Sequence, residues 1–191
     1  MAAGGTYNPA MKQQWAMFTM GVWIGGSILT AIVAAENFYT IDRLLAGSRS
    51  VAFTSVVERL GRPETRELLR YLSSELNRLY FQLWNVAELA VGILVLWLLG
   101  RNPRAAKARW GVVGMLCIIV LMTLWLTPQI VSVGRSLDFV PRDPPPPALR
   151  SFGILHALYS SLAAVIVVLG SIVAAWIAQI ARPRNVSRAA A

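Results

Sequence analysis

The sequence predicts an all-α membrane protein: a four-transmembrane-helix bundle with a long second helix that projects to the extracytoplasmic side. The 191 residues are 56% hydrophobic and only 14% charged, whereas about a quarter of a soluble domain is charged. The charges cluster and leave four apolar stretches, each close to or above the roughly 20 residues that span a bilayer. They are apolar on every face, unlike barrel strands, so we expect helices. The predicted spans, within one membrane domain covering 1–191, are 15–35, 80–100, 110–133 and 152–181.

The first span contains no charged residue and is followed directly by Glu36 and Asn37. The small residues at 33–35 resemble a signal-peptide cleavage site, but the apolar run is longer than a usual signal core, so we expect a retained helix. Gly21 and Gly25 form a Gly-x-x-x-Gly pattern that lets another helix approach closely. We expect packing inside the bundle rather than homodimerisation.

The connection from 36 to 79 is expected to be partly helical, with an extracytoplasmic helical segment over about 51–79. A short amphipathic stretch at 51–60 ends at Gly61. Pro63 and Glu64 then suit the first turn of a helix, and nothing between Glu64 and Gly100 breaks it. The part before the second span would project by roughly 25 Å at 1.5 Å per residue.

Prolines mark the second half of the chain. Pro128 lies near the end of the third span and is expected to kink or end it. Residues 144–147 are four consecutive prolines, which favour a stiff extended spacer, with a partner-binding motif as the alternative. The single cysteine, Cys117, lies within the third span and is expected to be a packing residue.

The basic residues indicate an orientation. One side of the predicted bundle carries only positive charge, and the opposite side carries eight of the nine acidic residues. Short basic loops stay in the cytoplasm, so we expect an inner-membrane protein with both termini cytoplasmic. No nucleic-acid-binding motif is present. The basic residues on the predicted cytoplasmic side are Lys12, Arg101, Arg104, Lys107, Arg109, Arg182, Arg184 and Arg188.

A set of polar residues in and next to the spans lies toward the predicted extracytoplasmic side. Ionisable groups are costly in lipid and are therefore candidates for function. Three interpretations are open: interhelical hydrogen bonds worth about 0.6 kcal/mol each, an outward-facing ligand, metal or cofactor site, and a proton or ion pathway. The predicted cluster comprises Glu36, Asn85, Glu88, Gln129, His156 and Ser160.

The single histidine limits cofactor chemistry. A haem held by two histidines of this chain and a zinc site of several His or Cys ligands both need residues that the sequence lacks. His156 with a carboxylate or methionine is the weak candidate for haem iron or copper. No phosphate-binding glycine loop, nucleophile elbow or metalloprotease motif occurs, so an enzyme is not favoured.

Three blocks of the sequence resemble the transmembrane-protein-205-like family, four-span membrane proteins of unassigned function that are similar in layout to the copper-resistance-D-like group. They are GVWIGG at 21–26 leading into AAENF at 34–38, WLTPQI at 125–130, and LRSFGILHALYSSL at 149–162. The resemblance implies a histidine at the position of His156. It implies no catalytic residues, and the 51–79 segment is longer than the connection usual in that family.

Three functional hypotheses follow. The first is a non-enzymatic scaffold or accessory subunit, whose partners are the lipid bilayer and other membrane subunits. The second is a haem- or copper-binding protein that uses His156. The third is a small transporter or proton pathway that depends on Glu88.

Overall fold

The computed structural model describes residues 9–181. Within them the chain is helical, no strand forms, and four helical runs are long and apolar enough to cross a membrane. The predicted all-α, four-helix membrane fold is confirmed at this level. A 3-10 turn, Pro103–Ala105, precedes α4, and a π-helical segment, Met122–Leu126, joins α4 to α5. The helices are α1 Pro9–Gly47, α2 Val51–Leu60, α3 Arg62–Leu99, α4 Ala106–Leu121, α5 Thr127–Arg135 and α6 Pro147–Ala181.

The four membrane-length runs alternate in direction. Helix α1 packs against α3 and α6, and α4 packs against the same two helices. The ammonium of Lys12 lies 5.2 Å from the ring centre of Trp97, and Gly111 packs against Val173 and Trp176. The start of α1, the α3–α4 loop and the end of α6 therefore share one end of the bundle. We call it the basic end and the opposite one the outer end; the three arginines at 182–188 lie outside the described residues.

The core lies between the middle of the bundle and the basic end. Trp23 and Met20 of α1, Val95 of α3, Met115 of α4 and Ile177 of α6 are all fully buried. Lipid tails are as apolar as these side chains, so close packing rather than water exclusion holds the helices together. This explains why tryptophan and methionine, which offer many contacts, fill the centre.

The outer projection is a pair of helices rather than one. Helix α1 continues beyond the predicted span to Gly47, because nothing between 36 and 46 breaks a helix. At 1.5 Å per residue its 39 residues measure about 58 Å. It runs beside the first half of α3, where the Arg62 guanidinium donates to the Leu45 carbonyl. Helix α2 has the predicted bounds and ends at Gly61, whose φ of +89° favours glycine.

Pro128 does not end its helix. The π-helical turn lies directly before it, and the Thr127 N–H bonds to the Met122 carbonyl five residues earlier. Proline removes one backbone donor, and a local π turn is one way in which a helix absorbs that loss. The proline run is likewise only partly a spacer, since Pro147 is already the first residue of α6.

The close helix approach in α1 occurs at Gly26. A Cβ added there would lie 1.9 Å from Trp84 Cη2 of α3, whereas a Cβ at Gly21 or Gly25 would meet nothing within 4 Å. The internal packing expected at Gly21 and Gly25 therefore occurs at Gly26 instead. Neither glycine is used by the bundle itself.

Replacing Gly26 by alanine should destabilise the bundle, because Trp84 must move away from α1. Overpacking of this kind costs about 1–3 kcal/mol, which thermal unfolding in mild detergent would detect as a lower midpoint. Gly25→Ala is the matched control and should not lower the midpoint, because its Cβ meets nothing within 4 Å and alanine favours the helix. Equal effects of the two substitutions would contradict the packing described here.

Candidate functional site

The structure separates the six predicted site residues into two groups. Asn85 is 1% exposed and Glu88 is 3% exposed, whereas the other four lie on the surface of the bundle. The predicted single cluster of six therefore does not form. The exposed group is Glu36, Gln129, His156 and Ser160.

The exposed residues have other neighbours. The Glu36 carboxylate pairs with Arg43 at 2.6 Å on the outer part of α1. The His156 ring stacks on Phe152, with 5.9 Å between ring centres. Tyr159, three residues after His156, is buried and occupies the inward face of α6 instead. Cys117 is also exposed rather than packed inside.

Glu88 is the centre of a hydrogen-bonded cluster between α1 and α3. Its Oε1 lies 3.0 Å from the Trp23 indole nitrogen and 2.9 Å from the Ser27 hydroxyl. The Ser27 hydroxyl also lies 3.0 Å from the Trp23 carbonyl and accepts from the Trp84 indole at 3.3 Å. A hydroxyl has one proton. The cluster therefore holds either a carboxylate that accepts from Ser27 or a carboxylic acid that donates to it.

Asn85 is the centre of a second cluster, three residues earlier on α3. Its amide donates to the Thr127 hydroxyl at 3.1 Å, and its carbonyl oxygen accepts from the Tyr159 hydroxyl at 2.9 Å. Tyr159 packs edge-on against Phe81, with 5.1 Å between ring centres. Thr127 directly follows the π-helical turn, so that turn helps to set where its hydroxyl points.

Together the two clusters join all four membrane-length runs. Glu88 links α3 to α1, and Asn85 links α3 to α5 and α6. Each polar side chain in them is hydrogen-bonded to another one, which is consistent with a role in fixing the positions of the helices. Thr123 in the π-helical segment has the one buried side-chain polar atom within residues 9–181 that lacks a partner.

Trp23, Ser27 and Tyr159 are members of these clusters that the sequence pattern does not indicate. Serine and tyrosine give little signal in an apolar helix, and Trp23 was one member of an apparently apolar run. The spacing of Asn85 and Glu88 was the informative signal, because three residues on a helix place both on nearly one face.

Metal ligands are sparse. Within the described residues, no group of three or more His, Cys, Asp or Glu side chains is placed to hold a metal ion. His156 is exposed on α6, with Phe152 as its ring neighbour. The residues brought together at Glu88 and Asn85 are hydrogen-bonding groups rather than soft metal ligands.

A third polar cluster, centred on Arg78, joins the outer part of α3 to the turn after α5. The Arg78 guanidinium donates to both carboxylate oxygens of Asp138, at 2.9 and 3.0 Å, and also to Glu75. Burial opposes the charge on Arg78, but its hydrogen bonds with Asp138 and Glu75 outweigh burial and raise its pKa. Arg135 approaches Glu75 at 3.7 Å from the exposed side. One guanidinium nitrogen bonds to both Asp138 oxygens and another bonds to Glu75, so Arg78 is the main link between these segments.

Compared with known proteins, the chain matches no protein-family model, no curated protein and no solved structure. The resemblance to the transmembrane-protein-205-like family therefore stays a prediction from the sequence blocks.

Glu88→Leu should lower the thermal midpoint in detergent, because the Trp23 indole N–H loses its acceptor. A buried donor without a partner costs about 1–3 kcal/mol. Glu88→Gln keeps an acceptor oxygen in place and should remain close to the wild type. A midpoint that falls equally in both variants would contradict the hydrogen-bonding role.

Arg78→Leu should release the turn at 136–143 and speed its cleavage by protease, because both Asp138 carboxylate oxygens lose their donor. Arg135→Leu is the control: Arg135 is also paired with an acid, but at 3.7 Å and with an exposed side chain. We expect it to change the cleavage rate little, since exposed pairs contribute about 0–1 kcal/mol. Equal cleavage rates in the two variants would contradict this role of Arg78.

Proposed function

We propose that this protein is a non-enzymatic accessory subunit that associates, within the membrane, with another membrane protein through the surface carrying His156 and Ser160. The observation that carries the proposal is that these polar side chains lie in an apolar helix and face away from the bundle. They are one helical turn apart and therefore share a face of α6.

Gln129 of α5 is a further exposed polar residue at the depth of His156. Phe152 of α6 packs near Gly134 of α5, and Tyr159 shares Asn85 with Thr127. Because the two helices run in opposite directions, Gln129 and His156 lie at a similar depth in the bundle. Gln129 is exposed as well.

Exposed polar groups at this depth need a partner. Histidine, glutamine and serine in lipid lack hydrogen-bonding groups around them, and such residues normally face protein or a water-filled cavity. A neighbouring transmembrane helix with donors and acceptors would satisfy them and associate by interhelical hydrogen bonds. The buried clusters support a scaffold role, because their polar groups bond to one another and hold the helices in place.

A photo-crosslinking amino acid at position 156, in native membranes, tests the proposal. We expect one defined protein adduct, since the partner covers this face. Ile154 is the control position: it is 61% exposed at almost the same depth but lies about 200° around the helix, and there we expect lipid adducts.

Three outcomes would contradict the proposal. Lipid adducts alone at position 156 would show that no protein covers this face. A stoichiometric haem or copper in native mass spectrometry, lost in His156→Ala, would favour the cofactor hypothesis instead. Proton flux that is lost in Glu88→Gln with an intact fold would favour the transport hypothesis.

A further inference from the structure

We propose that the groove between α1 and α3, on a different part of the surface from His156, binds the acyl chain of a membrane lipid and guides it out of the bilayer at the outer end. The groove consists of two hollows of about 320 and 310 Å³ that share Val33. Each is within the size range of small-molecule sites. The proposal does not depend on the proposed function, because a partner on α6 and a lipid on α1 and α3 occupy separate faces.

The lower hollow opens sideways to the membrane. Leu29 of α1 and Leu83 of α3 line it and are each 60% exposed, within the predicted spans. Trp84 forms part of its wall, held by its bond to Ser27. A hydrocarbon chain of the surrounding bilayer can therefore enter this hollow without crossing a polar barrier.

The upper hollow continues the apolar path beyond the predicted membrane boundary. Leu69, Leu72 and Leu76 line it on α3. Leu72 lies eight residues before Tyr80, the first residue of the predicted span, which is about 12 Å at 1.5 Å per residue. Apolar side chains at this height would otherwise face water, so an apolar ligand here removes surface from water.

The polar groups of the groove are already satisfied. The Asn37 amide donates to Asn77 at 2.7 Å, and the Asn77 amide donates to the Ala34 carbonyl at 2.9 Å. The Ser73 hydroxyl donates to the Asn37 carbonyl at 3.1 Å. Glu36 and Thr40 also line the upper hollow, and both accept a hydrogen bond from Arg43 of α1. The polar groups of the lining are therefore paired within the protein, which favours a hydrocarbon as the ligand.

The alternative occupant is a helix of another protein, which would insert only a row of side chains into the groove. The continuity of the groove with the lipid-facing surface at Leu29 and Leu83 identifies lipid as the occupant.

The test uses the full chain in phosphatidylethanolamine and phosphatidylglycerol vesicles with a phosphatidylcholine probe that carries a diazirine on one acyl chain. After illumination, mass spectrometry of peptides should find adducts at Leu69 and Leu76. Leu69 lies eleven residues before Tyr80, about 16 Å beyond the predicted span, so lipid that merely surrounds the spans should label it little. Absence of adducts at both would overturn the proposal.

Two pairs of variants complete the test. Val33→Trp fills the point shared by the hollows and should lower labelling of Leu69 and Leu76 about tenfold, which corresponds to about 1.4 kcal/mol. Val22→Trp, also on α1 but away from the groove, should not. Equal labelling in these two variants would overturn the proposal.

The second pair uses exposed positions, which tolerate substitution. Leu72→Asp places a charge in the groove, whereas Leu68→Asp places it outside; the two leucines are 55% and 53% exposed. Only Leu72→Asp should reduce labelling of Leu69 and Leu76. A photo-crosslinker at Leu72 that captures protein and no lipid would also overturn the proposal.

Discussion

The hydrogen bonds of Glu88 are the constraint on which the bundle most depends. A carboxyl group among apolar helices is shielded from water, so its hydrogen bonds must come from protein groups. Trp23 and Ser27 of α1 supply them. The Trp23 ring needs space beside Gly92, and Trp84, which donates to Ser27, needs the missing side chain of Gly26. One polar requirement thus determines the separation of the two longest helices.

The Asn85 cluster extends this arrangement to the other half of the bundle. Thr127 and Tyr159 come from different helices, and both depend on one asparagine amide for their partner. Helix α3 therefore carries the polar contacts on one side of its axis at two successive levels. These bonds and the close packing at Gly26 and Gly92 together determine which face each helix turns inward.

Much of the fold could be predicted from sequence, but the inward faces of the helices could not. Long apolar runs and the breaks at Gly61 and Gly100 identify the helices. Membrane helices are apolar on all sides, however, so hydropathy does not distinguish the core from the lipid surface. His156 was therefore expected inside and is exposed, while Tyr159, three residues later, is inside. The ion pair of Arg78 with Asp138 spans 60 residues of sequence and left no local pattern.

The π-helical segment at Met122–Leu126 acts as an angular offset in the chain. A π turn holds an extra residue compared with an α turn, so everything after it is rotated by about 100° relative to an unbroken helix. In this chain the offset leaves Thr127 facing inward and Gln129 outward. One extra residue in the backbone of the π turn therefore determines that Thr127 bonds inside the bundle and that Gln129 lies on its surface.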